Sequence, residues 1–250
     1  FIDLFVIGEA EESILELMEL YNKVGRDKEI FLREAVTIGG VYVPKFYQPK
    51  YEDGQYMGLE KLVEGVPDKI GKRIIKNLDD VFFPDNIIVP YMEVVHNRAM
   101  AELFRGCTKG CRFCQAGMIY RPVREKKPET IKNNIDGMIK STGYEEISLT
   151  SLSTLDYSKI TELITDLIEK YNDEKIGVSL PSLRLDSYSV DVLKEVQKIR
   201  KTGLTFAPEA GTQRMRDVIN KGVSEENLIN TMQSIFSLGW DRVKLYFMIG

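Results

Sequence analysis

The chain has 250 residues, enough for one large domain or for a domain with a smaller companion. Its 43% hydrophobic and 29% charged residues suit a folded globular protein, and a net charge of −4 gives no global attraction to nucleic acid or membrane. No apolar run reaches the roughly 20 residues of a transmembrane helix, and FIDLFVIGEAEE lacks the basic leader of a signal peptide, so a cytoplasmic location is expected. The chain opens on Phe inside a strand-like run and stops at Gly250 after another, which reads as a fragment of a longer protein.

In chain order, Ile2–Ile7 is a strand candidate broken by Gly8, and Glu9, Glu11 and Glu12 open a helix with Ile14, Leu15, Leu17, Met18 and Leu20 as its apolar positions. Carboxylates in a first turn suit the helix dipole but repel a phosphate, so this turn is neither a P-loop nor a dinucleotide fingerprint. Residues 35–48 predict a hairpin in which AVTI and VYVPKFY flank the turn dipeptide Gly39-Gly40. Residues 51–86 are polar and read as a connector. FFPDNIIVPY, 82–91, is a Pro-punctuated link, which places a domain boundary near residue 85: residues 1–85 before it and 86–250 after it.

Beyond the link the pattern alternates. Strands are predicted at 101–107, 146–152, 175–180, 203–208 and 242–249. Helices fall between them, at 128–142 (Pro128 opening, Gly143 closing), 157–171, 188–201 and 224–238. Single helices between strands mean βαβ units and a parallel sheet with right-handed crossovers. The fold class expected is α/β, a partial TIM-like (β/α) barrel of parallel strands preceded by a small α/β remnant and linker.

All three cysteines lie in RGCTKGCRFCQAG, residues 105–117, spaced C-x3-C-x2-C directly after the first of these strands. A disulfide would leave one cysteine over and suits the cytosol badly. Structural zinc needs a fourth ligand, and His96, the single histidine, stands at an unsuitable distance in sequence; a hydrogen-bonded linker histidine is the expectation for it. Inert buried thiols would not cluster in this way, and a redox dithiol at Cys111 and Cys114 leaves Cys107 unexplained. An iron–sulfur cluster with three thiolate ligands uses all three and leaves one iron open to an exogenous ligand. Gly106 and Gly110 would let the backbone wrap closely. Lys109, Arg112, Arg121 and Arg124 either offset thiolate charge or form a solvated surface.

With Phe113 before the third cysteine, this loop resembles the signature of radical S-adenosylmethionine enzymes. In that superfamily the open iron of a [4Fe–4S] cluster binds the amino and carboxylate groups of S-adenosylmethionine. An electron from the cluster then cleaves the sulfonium to methionine and a 5′-deoxyadenosyl radical, which abstracts hydrogen. The resemblance implies that Cys107, Cys111 and Cys114 ligate iron and that Phe113 lies beside the adenine. The stretch EVVHNRAMAELFRGCTKGCRFCQAGMIYRPVREK is similar to a subgroup that follows a cobalamin-binding domain. FIDLFVIGEAEESILELMELY resembles the last strand and helix of that domain, so a cobalamin in the longer protein is a further expectation.

The superfamily often carries Gly-Gly-Glu at the end of the second strand, to hold the cofactor's amino group. Here TSLST, 150–154, stands instead, leaving backbone carbonyls and Ser151 or Ser153 as substitutes. LPSLRLDS places Ser182 and Arg184 at the mouth of a barrel, as ligands or as members of a surface salt bridge. FAPEAGTQRMRDVINKG, 206–222, resembles the fourth-strand cofactor motif, in which Glu209 would accept hydrogen bonds from a ribose diol or an ammonium and Gly211-Thr212 would start a helix facing the ligand. Arg214 and Arg216 are weaker candidates, since arginines on a helix face are usually solvated. YFMIG, 246–250, resembles the fifth strand, which supplies an adenine contact.

The function implied is reductive cleavage of S-adenosylmethionine to start radical chemistry on an unidentified substrate, with an electron donor such as flavodoxin or ferredoxin. No residue is singled out as catalytic, and no membrane or nucleic-acid partner is signalled. A methylthiotransferase-like modifier of tRNA or a ribosomal protein shares the loop, but usually brings further cysteines upstream, and residues 1–106 have none. A metal-stabilised binding module would need a closed four-ligand site and a basic face.

Overall fold

The structure, a computed structural model, describes residues 2–84, 86–92, 94–181, 184–185 and 203–249. Ser182 and the helix expected at 188–201 lie outside the described residues. The chain forms two compact units, Phe1–Lys76 and Asn77–Gly250. The second unit takes in 77–85 ahead of the expected division. The Asp79 carboxylate accepts the Lys127 N–H at 2.8 Å, and Phe83 packs on that unit's core. No helix among the described residues is long and apolar enough to cross a membrane.

In the first unit, strand β1 (Phe5–Val6) leads into helix α1 (Ser13–Val24) and then α2 (Lys28–Ala35), which Asp27 caps by accepting from the amides of Glu29 and Ile30. Leu17 of α1 is buried, whereas Ile14, Leu15 and Met18 stay exposed. The acidic start of α1 is used structurally: Glu12 and Glu16 both pair with Arg73. The hairpin expected across Gly39-Gly40 is not formed. Residue 35 ends α2, and β2 (Val41–Tyr42) pairs antiparallel with β1 instead. Gly40, at φ +91, makes a close approach that a side chain would crowd, its notional Cβ falling 3.0 Å from the Ile7 carbonyl oxygen. The true hairpin is β3 (Tyr47–Glu52) with β4 (Gln55–Lys61), turned at Asp53-Gly54 with both φ angles positive. Leu32, Val41, Val43 and Phe46 form the heart of this unit's core.

In the second unit, β5 (Ala99–Glu102), β8 (Glu146–Thr150) and β9 (Gly177–Ser179) make a parallel sheet in the order β5-β8-β9. A short antiparallel pair, β6 (Phe104–Arg105) with β7 (Arg124–Glu125), closes the loop that carries the cysteines and the short helix α3 (Ala116–Ile119). Helix α4 (Pro128–Thr142) starts at Pro128 and ends at Gly143, whose left-handed backbone (φ +69) returns its N–H to Ile139. Its Ile131, Ile135 and Met138, spaced four and three apart, are buried, as is the apolar face of α5 (Ile160–Tyr171). Ile147 and Leu149 on one face of β8 and Ser148 on the other are all buried, as both faces of a central parallel strand require. A second parallel pair, β10 (Leu204–Glu209) with β11 (Val243–Phe247), is joined through α6 (Gln213–Val218) and α7 (Glu225–Ser237), the latter opened by a Ser224–Asn227 capping box. The result is the expected α/β partial barrel of parallel strands.

Candidate active site

One cavity of about 280 Å3 opens beyond the C-terminal ends of the parallel strands, where barrels carry their sites. Cys107, Cys111 and Cys114 line it as half-buried free thiols, together with Phe113. Leu152 reaches it from beyond β8 and Pro181 from beyond β9, while Glu209 and Tyr246 close it from the ends of β10 and β11. Arg184 and Lys221 supply its cations. The volume is near the lower bound of small-molecule pockets, about 300 Å3.

The cysteine loop owes its path to two glycines. Gly106 sits at φ +98 with the Tyr120, Pro122 and Val123 backbone packed so close that a Cβ would fall within 2.9 Å of each. Gly110, at φ +70, leaves room for the Asn220 side chain. The Cys114 N–H turns back to the Cys111 carbonyl at 3.0 Å. The rest of the support comes from the segment after α6. The Arg112 N–H donates to the Ile219 carbonyl at 2.9 Å, and its guanidinium donates to Val218. Arg184 spans both sides: one nitrogen stands 3.7 Å from the Cys111 sulfur and another donates to the Lys221 carbonyl at 3.0 Å.

Glu209 and Lys221 form the polar wall. Pro208 cannot donate to the β10–β11 ladder, and the register shifts between Phe206 and Glu209. Glu209 takes a left-handed backbone, φ +68, at the end of that irregularity. Lys221 donates to the Glu209 carboxylate at 3.2 Å and stands 5.7 Å from the centre of the Phe113 ring, within cation–π range. Its side chain is only 8% exposed.

The expected site residues thus divide. The three cysteines, Phe113, Arg184 and Glu209 share the cavity, whereas Ser151 and Ser153 do not line it. Ser151 accepts the Ser153 N–H at 3.2 Å and reaches Thr154, shaping the turn that presents Leu152; Ser153 is buried, and its hydroxyl has no partner among the described residues. Arg214 is exposed, as expected of a helix-face arginine, but Arg216 is buried. Of the loop's other cations, Lys109 pairs with Asp156 at 3.2 Å. His96 contacts Arg98 at 2.6 Å, in keeping with a linker role. Sequence reasoning passed over Lys221, although it stands in the same NKG run that closes the Glu209 segment.

The donor set fits a cluster. Three free thiols line one cavity, a thiolate set of the kind iron–sulfur clusters take, whereas structural zinc needs a fourth ligand.

A partial (β/α) barrel with this cysteine-lined mouth defines a class of enzyme, and comparison with known proteins supplies the family. The profile described as Radical SAM superfamily matches residues 101–250, and one described as Radical SAM proteins, N-terminal, matches residues 1–44. The chain belongs to the radical SAM superfamily. It is 30% identical to an uncharacterised protein of Methanocaldococcus jannaschii over 252 residues, covering all of this chain and 48% of that protein. It is 26% identical over 187 residues, 74% of this chain and 37% of the relative, to a tRNA-2-methylthio-N(6)-dimethylallyladenosine synthase of Hydrogenobaculum. The chain thus spans about half or less of these curated relatives. Among solved structures, the cobalamin-dependent S-adenosylmethionine radical enzyme OxsB superposes with a TM-score of 0.61 at 16% identity, over 99% of this chain and 34% of that one. The radical S-adenosylmethionine methyltransferase TsrM of Kitasatospora setae gives 0.58 at 11% identity, over 98% and 45%. These two likenesses establish the fold.

Proposed function

We propose that Cys107, Cys111 and Cys114 hold a [4Fe–4S] cluster and that the adjoining cavity binds S-adenosylmethionine for reductive cleavage. The observation that carries this reading is the meeting of three free thiols, an aromatic face and an opposed Glu209–Lys221 pair in one cavity. When bound, the cluster supplies the electron that cleaves the cofactor's sulfonium. Phe113 offers a ring face to the adenine. Glu209 accepts hydrogen bonds from the ribose hydroxyls or the ammonium, while Lys221 and Arg184 face the anionic end of the ligand. Leu152 and Pro181 exclude water from the apolar side.

In the longer protein the reading extends to a cobalamin carried by a preceding domain, supported by the likeness of nearly the whole chain to OxsB and TsrM. An electron donor of the flavodoxin or ferredoxin kind belongs to it as well. Methylthio transfer is the second reading, favoured by the identity to the tRNA-modifying synthase. It calls for a second cluster, which the three cysteines of this chain cannot also ligate, so iron content of the longer protein after anaerobic reconstitution separates the two.

The test of cleavage is direct. Reconstituted, chemically reduced protein supplied with S-adenosylmethionine should release 5′-deoxyadenosine, and C111A should release none. A cluster-loaded protein that leaves the cofactor intact would refute the proposal.

A further inference from the structure

We propose that Arg216 is a positioning residue that fixes Glu209 and Lys221 against each other. Arg216 is 1% exposed and is the largest of the fully buried side chains. Its Nε donates to the Val223 carbonyl at 2.9 Å, its Nη1 to Ala210 and Gly211 at 3.0 and 3.2 Å, and its Nη2 to the Gln213 Oε1 at 3.2 Å. No carboxylate among the described residues pairs with it, although buried charges are usually paired.

The choice of acceptors is informative. Ala210 and Gly211 directly follow Glu209, and Val223 stands two residues after Lys221. The Arg216 carbonyl itself accepts the Lys221 N–H at 2.9 Å. One planar fork therefore braces the two chain segments that carry the polar wall, a task a lysine's single ammonium cannot reproduce. Gln213 completes the brace, since the same oxygen also accepts the Glu225 N–H at 2.9 Å.

Both members of the pair need outside support. Glu209 holds φ +68, a conformation that disfavours any residue with a Cβ. Lys221 keeps a nearly buried ammonium that depends on the Glu209 carboxylate. An apolar residue at 216 would fill the space but remove the four hydrogen bonds the guanidinium donates. The inference rests on the proposed function only for the use to which the pair is put.

The test reads the pair without any cofactor. In the full chain, lysine amines are acylated and labelling is followed residue by residue by mass spectrometry. Exposed Lys140 and buried Lys126 serve as references. In R216K and in R216M, Lys221 should label about tenfold faster, the factor expected for loss of roughly one charge-assisted hydrogen bond, with both references unchanged. In an E209A background, where the pair is already broken, R216K should add nothing. Unchanged Lys221 labelling, a parallel rise at Lys126, additive effects, or failure of both variants to fold would each overturn the proposal. S-adenosylmethionine binding by reconstituted protein is measured alongside. Wild-type protein that binds none would refute the proposed function, while the labelling still decides the role of Arg216.

Discussion

The side-chain amide of Asn220 donates to the carbonyl of Gly110 at 2.8 Å, tying the middle of the cysteine loop to the turn that ends α6. Arg112 and Arg184 strengthen the same seam. The loop that carries the thiols and the segment that carries Lys221 are thus one mechanical unit. Loss of a bond that crosses this seam should therefore loosen the cysteine loop.

Asn220 itself sits at φ +53, which Asn tolerates better than most residues. N220G should lose only the side-chain hydrogen bond, about 1 kcal/mol. N220A should lose the bond and also bear the left-handed backbone, roughly 1–2 kcal/mol more. In thermal unfolding N220A should therefore fall below N220G, and both should give up iron to a chelator faster than wild type. Equal melting of the two variants would contradict the backbone argument.

Gly106 permits no side chain. Its notional Cβ would lie 2.7 Å from the Pro122 carbonyl oxygen and 2.9 Å from that of Tyr120, on a backbone at φ +98. G106A should displace the turn into Cys107 and sharply lower the iron retained after reconstitution. G143A, at φ +69 with no atom near its notional Cβ, should cost about 1 kcal/mol of stability and leave iron content alone.

Glu209 is assigned to the cofactor and the thiols to the cluster, so the two functions should separate. E209A should weaken S-adenosylmethionine binding about 10- to 100-fold, as loss of a charge-assisted contact predicts, with iron content unchanged. Equilibrium dialysis on reconstituted protein reads the first and a colorimetric iron assay the second. Undiminished binding would remove Glu209 from the site.

Two buried tyrosines set an alkaline limit on stability. Tyr157 donates to the Lys126 carbonyl at 2.8 Å and Tyr171 to the Asp136 carboxylate. Burial, joined by the nearby Glu125 charge for Tyr157 and by the Asp136 hydrogen bond for Tyr171, pushes both phenols above the ordinary tyrosine range. The unfolded chain releases these protons first, from about pH 10. The stabilisation is therefore complete below that pH and is lost as pH rises toward the folded-state values. Y157F should cost about 1 kcal/mol at neutral pH and show a shallower decline above about pH 10 than wild type. A decline of equal steepness would show that Tyr157 does not contribute.

Much of the second unit was legible in the sequence because its signals are local. Pro128 and Gly143 bracket α4 as they bracket the apolar period, and the cysteine spacing singles out its loop. The first unit misled at Gly39-Gly40, whose glycine serves a close approach to Ile7 rather than a hairpin turn. Asp53-Gly54 carried the true turn signal, but its flanking strands are exposed on both faces and lack the alternation that marks a strand. The burial of Arg216 was not legible, because burial of a helix-face arginine is decided by which carbonyls surround it. The Asn220–Gly110 seam joins residues 110 apart, and no periodicity reports a contact of that kind.

The central claim is an open iron on a three-thiolate cluster within reach of the cofactor. Electron paramagnetic resonance of the reconstituted, reduced protein tests it most directly. The account predicts a [4Fe–4S]+ signal that changes on addition of S-adenosylmethionine and is absent from C111A. A cluster signal indifferent to the cofactor, or zinc in place of iron, would contradict it.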